Sequence, residues 1–279
     1  MSEITIGLLH PGEMGSAVGA ALRAVGHRVV WASSGRGAAT RARAEADGLV
    51  DVGTLESLVG KASVVLSVCP PHAALDIARQ VAALRYRGIF VDANAVAPAT
   101  ACEIGRVVEA AGALFVDGGI IGSPPRRPGV TRLYLSGAEA SRIAALFATS
   151  PLESVVVDGP PGAASAVKTT YAAWTKGSNA LLMAVRALAI REGVDDTLLA
   201  EWGRSQPALA ARCEDAVRAN APKAWRFVGE MEEIAAAFSA AGLPVGFHEA
   251  AAKVYQRLAA WKDTPTPPSI GEVAKALAP

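Results

Sequence analysis

Lys168, Tyr171, Thr175 and Asn179 recur at steps of three and four residues within the stretch from Gly159 to Gly193. That stretch has no interior proline for about 30 residues, is rich in Ala and Leu, opens with Gly-Pro-Pro-Gly and closes at Gly193. It predicts one long helix of roughly 45 Å at 1.5 Å per residue. On such a helix the four polar residues share one stripe, while the remaining surface is apolar and calls for burial. A lysine there must reach water, find a partner or lose its charge, and the positive end of the helix disfavours its charge further. Beside Tyr171, Lys168 is a candidate proton donor and acceptor. The alternative is a lysine that lays its stem on the helix and holds its ammonium in water.

A second chemistry belongs to loops at strand ends. Ile4–Leu9 is a short apolar strand that runs into His10-Pro11-Gly12-Glu13-Met14-Gly15 and then an Ala-rich helix, Ser16–Val25, stopped by Gly26. Strand, glycine turn and helix form the context in which backbone N–H groups receive a pyrophosphate. Gly12 and Gly15 fit the second and third glycines of that pattern, and His10 stands where the first is expected. The next strand, Arg28–Ala32, ends in Ser33-Ser34-Gly35-Arg36, with no acid before Glu45 to take ribose hydroxyls. Serine hydroxyls and an arginine fork suit a 2′-phosphate, so NADP(H) is expected over NAD, with Arg41 as a second candidate.

Two further strands end in loops on the side where ligands bind in an open parallel sheet. Ser63–Val68 leads into Cys69-Pro70-Pro71-His72, and Gly88–Asp92 leads into Ala93-Asn94. Cys69 and Pro70 fall at the cofactor side, with Cys69 read as a small packing residue rather than a nucleophile. Asn94 is placed to bond the nicotinamide amide, and His72 is a loop histidine. Ala113–Val116, Arg132–Ser136 and Ser154–Val157 complete the strands, and everything after Gly159 reads as helix.

The 279 residues provide one large or two ordinary domains. A hydrophobic share of 51% with only 5% aromatics suits an Ala/Val/Leu-packed α/β protein, and a net charge of +1 suggests neither nucleic acid nor an anionic membrane as partner. No apolar run reaches membrane-spanning length, and no basic region precedes an apolar one at the N-terminus. Cys69, Cys102 and Cys213 fit no metal pattern and suit a reducing, cytoplasmic setting.

Gly7-x-x-x-x-Gly12-x-Met14-Gly15, the Ser-Ser-Gly-Arg strand end and Val91-Asp-Ala-Asn-Ala-Val-Ala-Pro98 follow one another in a set order. Phe115-Val-Asp-Gly-Gly119 and Gly159-x-x-Gly162 followed by Lys168 continue it. Together they resemble the β-hydroxyacid dehydrogenase and imine reductase superfamily, also called 6-phosphogluconate dehydrogenase-like. The resemblance implies an α/β Rossmann domain followed by an all-α C-terminal domain, joined by a long interdomain helix. Residues 1–158 would bind NADP(H), and residues 159–279 would serve substrate binding and dimerisation. It also implies a homodimer with interlocked helical domains, and active sites in clefts that can borrow residues from the partner. Lys168 matches the family's catalytic lysine.

There are departures. Ile121 stands where the hydroxyacid branch carries a carboxylate-binding serine, Tyr171 and Ala172 replace an asparagine pair, and Asn94 replaces a usual serine. Asp117-Gly118 followed by Pro124 looks like the imine reductase branch, which usually replaces the lysine. Gly119, Ile120, Ile121 and Thr175 are therefore the expected substrate contacts. Trp174 is either an aromatic wall or core. Lys223-x-Trp225-Arg226 and Gly246-Phe247-His248-Glu249 either face the cleft or cap their helices. The expected function is NADPH-dependent reduction of a C=N or C=O carbon in a small organic substrate. A 3-hydroxyacid dehydrogenase using Lys168 and an NADP-binding regulatory protein without turnover are the alternatives.

Overall fold

The computed structural model describes residues 4–262 and 264–278. The chain divides into two compact units, Met1–Thr169 and Thr170–Pro279. In the first, strands and helices alternate: β1 (Thr5–Leu9), α1 (Glu13–Ala24), β2 (Arg28–Trp31), α2 (Ala38–Ala46), β3 (Val50–Asp51), α3 (Leu55–Lys61) and β4 (Val64–Ser67). They continue with α4 (Ala74–Ala83), β5 (Ile89–Asp92), α5 (Pro98–Ala110), β6 (Leu114–Gly122), β7 (Thr131–Ser136), α6 (Ala140–Ala145) and β8 (Glu153–Val156).

The strands form one eight-stranded sheet in the order β3-β2-β1-β4-β5-β6-β7-β8, parallel throughout except that β7 runs antiparallel to β6. Parallel strands are buried on both faces, which is why β1, β4 and β5 are mostly apolar along their length. One face packs Ile6, Leu8, Leu66 and Val91 beneath α1 residues Val18 and Leu22. The other packs Val65 and Phe90 against Leu58, Ile77 and Ile104 of α3, α4 and α5.

Three details differ from expectation. The helix after the glycine turn begins at Glu13, not Ser16. β3 is an additional strand, whose two residues are too few for an alternating pattern. β6 does not end at Val116 but continues to Gly122, because its ladder with β7 runs from Asp117↔Ser136 to Gly122↔Thr131. Asp117–Ile121, beyond the expected end of the strand, are thus part of it.

The long helix, α7, spans Ala163–Arg191. The second unit is helical: the greater part of α7, then α8 (Asp195–Ser205), α9 (Leu209–Asn220), α10 (Ala224–Ala240), α11 (Gly246–Arg257) and α12 (Ile270–Leu277). Its core gathers Met183, Met231, Ile234, Tyr255 and Val273. Ion pairs within it are shielded: Lys176 Nζ lies 2.7 Å from Glu230, and Arg186 reaches Asp195 through two bonds of 2.6 and 2.8 Å. The Tyr255 hydroxyl donates to the Lys176 carbonyl at 2.9 Å. No helix among the described residues is long and apolar enough to cross a membrane.

Candidate active site

The sheet order reverses between β1 and β4, with β2 on one side and β5 on the other. Crevices at the carboxyl ends of strands at such a point hold ligands. His10, after β1, has φ 65, the left-handed conformation that glycine usually supplies and that histidine tolerates better than most side chains. Its carbonyl accepts from Gly12 N at 2.7 Å. A methyl group on Gly15 would sit 2.5 Å from that carbonyl, so only glycine lets α1 approach the turn. A Cβ on Gly12 would meet nothing within 4 Å, which leaves the backbone open to an approaching group. No side chain caps α1. Burial, with the Arg36 charge adding to it, lowers the His10 imidazole to about 4, so it is neutral at pH 7. Its Nδ1 is buried and has no hydrogen-bond partner among the described residues.

An uncapped helix N-terminus, an open glycine and an orphaned imidazole nitrogen fit the pyrophosphate of a dinucleotide. Pro11 holds the loop through its carbonyl, which accepts from Arg43 at 3.3 Å, and Met14 packs on the core below.

The Ser33–Arg36 turn divides its labour. Arg41 braces it, donating to the carbonyls of Ser33 at 2.7 Å and Arg36 at 3.2 Å. Ser33 is buried and its hydroxyl bonds Asp51. Asp51 ends β3 and lies opposite Trp31 of β2, so the structure brings a carboxylate beside this turn that sequence distance concealed. That carboxylate also accepts from Gly53 N at 2.8 Å. Ser34 is exposed and Arg36 is half-buried. Arg36 is near enough to His10 and Cys69 for its charge to act on both.

Asn94 has another task than the expected bond to a carboxamide. Its Oδ1 accepts from Cys69 N at 2.5 Å, and its Nδ2 donates to Asp92 Oδ1 at 2.5 Å and Ser67 Oγ at 3.1 Å. Both amide hydrogens are thereby spent on tying the ends of β4 and β5. Burial pushes the Cys69 thiol up to about 12, in keeping with an inert packing residue. His72 is exposed in a one-turn helix.

The same level of the sheet holds a buried polar row. Ser67, Asp92, Asp117 and Ser136 are in register across β4, β5, β6 and β7, and none is exposed. Burial raises Asp92 to about 7, and the nearby Asp117 adds to the rise. Its Oδ2 has no hydrogen-bond partner among the described residues. The native chain thus retains a proton that an unfolded Asp releases near pH 4. This contributes stability below that pH, lost progressively as pH rises through about 7. Three pH units correspond to about 4 kcal/mol as an order of magnitude. Asp92→Asn removes the titration, so its urea midpoint should rise relative to the parent between pH 5 and pH 8. Parallel pH profiles for the two proteins would exclude the protonated Asp92.

Asp117 lies where the row meets α7. Its carboxylate accepts from Gly162 N at 2.9 Å, Ser165 N at 3.0 Å, Ser165 Oγ at 2.5 Å and Ser136 Oγ at 2.9 Å. Two residues on, Gly119 touches the helix: a methyl there would lie 2.8 Å from both the Ala164 carbonyl and Lys168 Cβ. Lys168 is half-buried. Ile120 turns to the opposite face and joins the core, while Ile121 is buried at 3% exposure on the Asp117–Gly119 side.

Tyr171 and Thr175 follow on α7 in the second unit. Tyr171 is half exposed, and the Thr175 hydroxyl donates back to the Tyr171 carbonyl at 3.1 Å. Trp174 is exposed, with Arg212 over its ring, so it is not core. Lys262 stacks over Trp225 at 4.3 Å, Phe247 is exposed, and His248 is buried edge-on to Phe238.

The strand-end row escaped the sequence reading although it left a signal. Four strands each close an apolar run with a small polar residue: Val-Val-Leu-Ser67, Ile-Phe-Val-Asp92, Leu-Phe-Val-Asp117 and Leu-Tyr-Leu-Ser136.

A family model for the NAD binding domain of 6-phosphogluconate dehydrogenase matches residues 5–146, and one for a domain of unknown function, DUF1932, matches residues 189–258. An uncharacterized 28.5 kDa protein from the 7S RNA 5′ region of Methanothermus fervidus is 32% identical over 146 residues, 52% of this chain and 55% of its own length. The chain thus matches about half the length of that curated relative. MTH1747, a conserved protein of unknown function described as structurally similar to 3-hydroxyacid dehydrogenases, superposes with TM-score 0.71 at 27% identity, covering 91% of this chain and 96% of its own. Mycobacterium tuberculosis 3-hydroxyisobutyrate dehydrogenase with L-serine gives TM-score 0.72 at 18% identity over all of both chains. A reductive aminase from Aspergillus terreus in complex with NADPH and ethyl levulinate gives 0.58 at 19%, over 98% and 99%. The family match over residues 5–146, half of the chain, with the strand-end crevice that it covers, shows that the chain belongs to the 6-phosphogluconate dehydrogenase-like, β-hydroxyacid dehydrogenase superfamily.

Proposed function

We propose that this chain is an NADPH-dependent reductase acting on a C=N or C=O carbon of a small organic substrate. The observation that carries the reading is the contact between Gly119 and Lys168 Cβ, which fixes a lysine in the same unit as the dinucleotide crevice. Bound NADPH supplies a hydride at its nicotinamide ring. The chain's own work is to bind, orient and move a proton. The His10–Gly15 turn and the start of α1 receive the pyrophosphate. Ser34 and Arg36 receive the 2′-phosphate, while the Asn94 latch holds the ends of β4 and β5 in place. Lys168 gives a proton to the oxygen or nitrogen on which charge develops.

The face of β6 that carries Gly119 next carries Ile121, an apolar side chain with nothing to offer a substrate carboxylate. This favours an imine or neutral carbonyl, in line with the likeness to an NADPH-bound reductive aminase. Retention of Lys168 supports 3-hydroxyacid dehydrogenation as the second reading, in line with the likeness to 3-hydroxyisobutyrate dehydrogenase. Loss of NADPH absorbance with a panel of cyclic imines, ketones and 3-oxoacids tests the proposal. Turnover confined to the oxoacids would replace the first reading by the second. NADPH binding without turnover of any member would leave a regulatory protein.

Dimerisation through the helical unit is part of the proposal. Trp174, Leu181 and Leu188 of α7 are 67%, 59% and 59% exposed. Trp174 and Leu181 line a cavity of about 600 Å³ with Phe247 and His248 of α11. A contiguous apolar face of this kind marks a docking surface, and a second copy brings the same apolar face to it. Light scattering at micromolar concentration should return twice the chain mass; a monomer would overturn this pairing.

A further inference from the structure

We propose that Asp117 is the positioning residue for Lys168. The inference rests on the reading of Lys168 as the proton donor and adds how the fold aims it. A helix begins with N–H groups that have no partner inside it, and a buried start must satisfy each of them. Here Gly162 N and Ser165 N donate to Asp117, Ala164 N donates to Ser136 Oγ at 3.1 Å, and Ala163 N donates to the Pro160 carbonyl at 3.2 Å. Ser136 in turn donates to Asp117, and so does the Ser165 hydroxyl.

All four partners of the Asp117 carboxylate are donors, so both oxygens act as acceptors, and a carboxylate at a helix N-terminus also complements the helix dipole. Residue 117 lies within a ladder paired on both sides, to Asp92 and to Ser136. The first turn of α7 is therefore pinned in translation and rotation to strands in the interior of the sheet. Lys168 follows Ser165 by three residues, about 4.5 Å of helix rise. Its Cβ rests on Gly119, two residues beyond Asp117 on the same strand face. One strand thus holds α7 at two points, by hydrogen bonds just before the lysine and by contact at the lysine itself. Freed at the first point, the helix start can shift or turn, and the amine moves with it. Displacements of about 1 Å cost on the order of 100-fold in rate.

The test is a double-mutant cycle on the full chain with NADPH and a substrate it reduces. Asp117→Asn keeps the volume but turns an acceptor into a donor facing N–H groups. It should lower kcat by about 10- to 100-fold while the NADPH Kd, read by nicotinamide fluorescence, stays within about twofold. In the Lys168→Met background the same change should alter kcat by less than about twofold, because a residue acting through the lysine has nothing left to act on. A full additional loss there would show that Asp117 serves the fold at large, and would overturn the proposal. If Lys168→Met alone turned over at the parent rate, the donor reading would fail and this inference with it.

Gly119→Ala gives a second cycle should Asp117→Asn not fold, since its methyl presses on Lys168 Cβ without touching the carboxylate. A readout free of turnover completes the test: ¹³C-methyl-lysine spectra of the ligand-free protein. The Lys168 resonance should move in Asp117→Asn, while that of Lys176, two turns along α7 and paired to Glu230, should not. An unmoved Lys168 resonance would also overturn the inference.

Discussion

Replacing Lys168 with Met should leave NADPH binding intact and lower kcat by about 10²–10⁴-fold, the usual worth of a general acid. Methionine keeps the stem that packs on Gly119, so α7 retains its place against β6 and only the amine is lost. The drop also separates substrates. A ketone accumulates negative charge on oxygen in the transition state and needs a donor throughout. An iminium ion already carries its proton and needs the amine much less. A large loss on ketones with a small loss on preformed iminium ions would identify imine reduction as the native task. Parent-rate turnover of any true substrate would remove Lys168 from the acid/base role, and Tyr171 would be the next residue to change.

Arg36→Ala should weaken NADPH binding by about 1–3 kcal/mol, roughly five- to 150-fold, and leave NADH almost unaffected. The asymmetry follows from which donors remain unspent. Arg41 is committed to the carbonyls of Ser33 and Arg36, and the Ser33 hydroxyl to Asp51, so neither can replace a lost guanidinium. Asp51, close to the turn, would repel a phosphate whose charge Arg36 no longer offsets. Titration of both cofactors by fluorescence checks the prediction, and equal losses for NADPH and NADH would remove the 2′-phosphate from Arg36.

The alternation of apolar strands with helices, the glycine turn and the length of α7 were all legible in the sequence, because each is a local pattern of period and punctuation. Of the proposed site, chain order alone singles out His10–Gly15, Ser33–Arg36 and Lys168, each by a local run of residues. The proposed site was obscure where chemistry runs across strands. Asn94 sits where a loop asparagine faces a ligand, yet Ser67, Cys69 and Asp92 consume its amide, and only the sheet brings Ser67 and Cys69 to it. Asp117 resembled the start of a substrate segment because Gly118 and then Pro124 follow it. Its pairing with β7 and its place under α7 depend on residues up to 48 positions away. Asp51 was passed over for the same reason, since β3 is too short to announce itself.

The polar row through Ser67, Asp92, Asp117 and Ser136 also guards against misassembly. Runs of Val, Ile and Leu are nearly interchangeable to a neighbouring strand, so hydrophobic burial alone discriminates poorly among sheets slipped along the chain direction. Sliding β5 by one residue would set Asp92 opposite an apolar or glycine position and strip Asn94 of its bonds to Ser67 and Cys69. Each buried polar group so stranded costs about 1–3 kcal/mol. Strands that are greasy along their length thus carry, at one end, a combination that closes in a single alignment. The residues that shape the ligand-facing end of the sheet double as the fold's own proofreading.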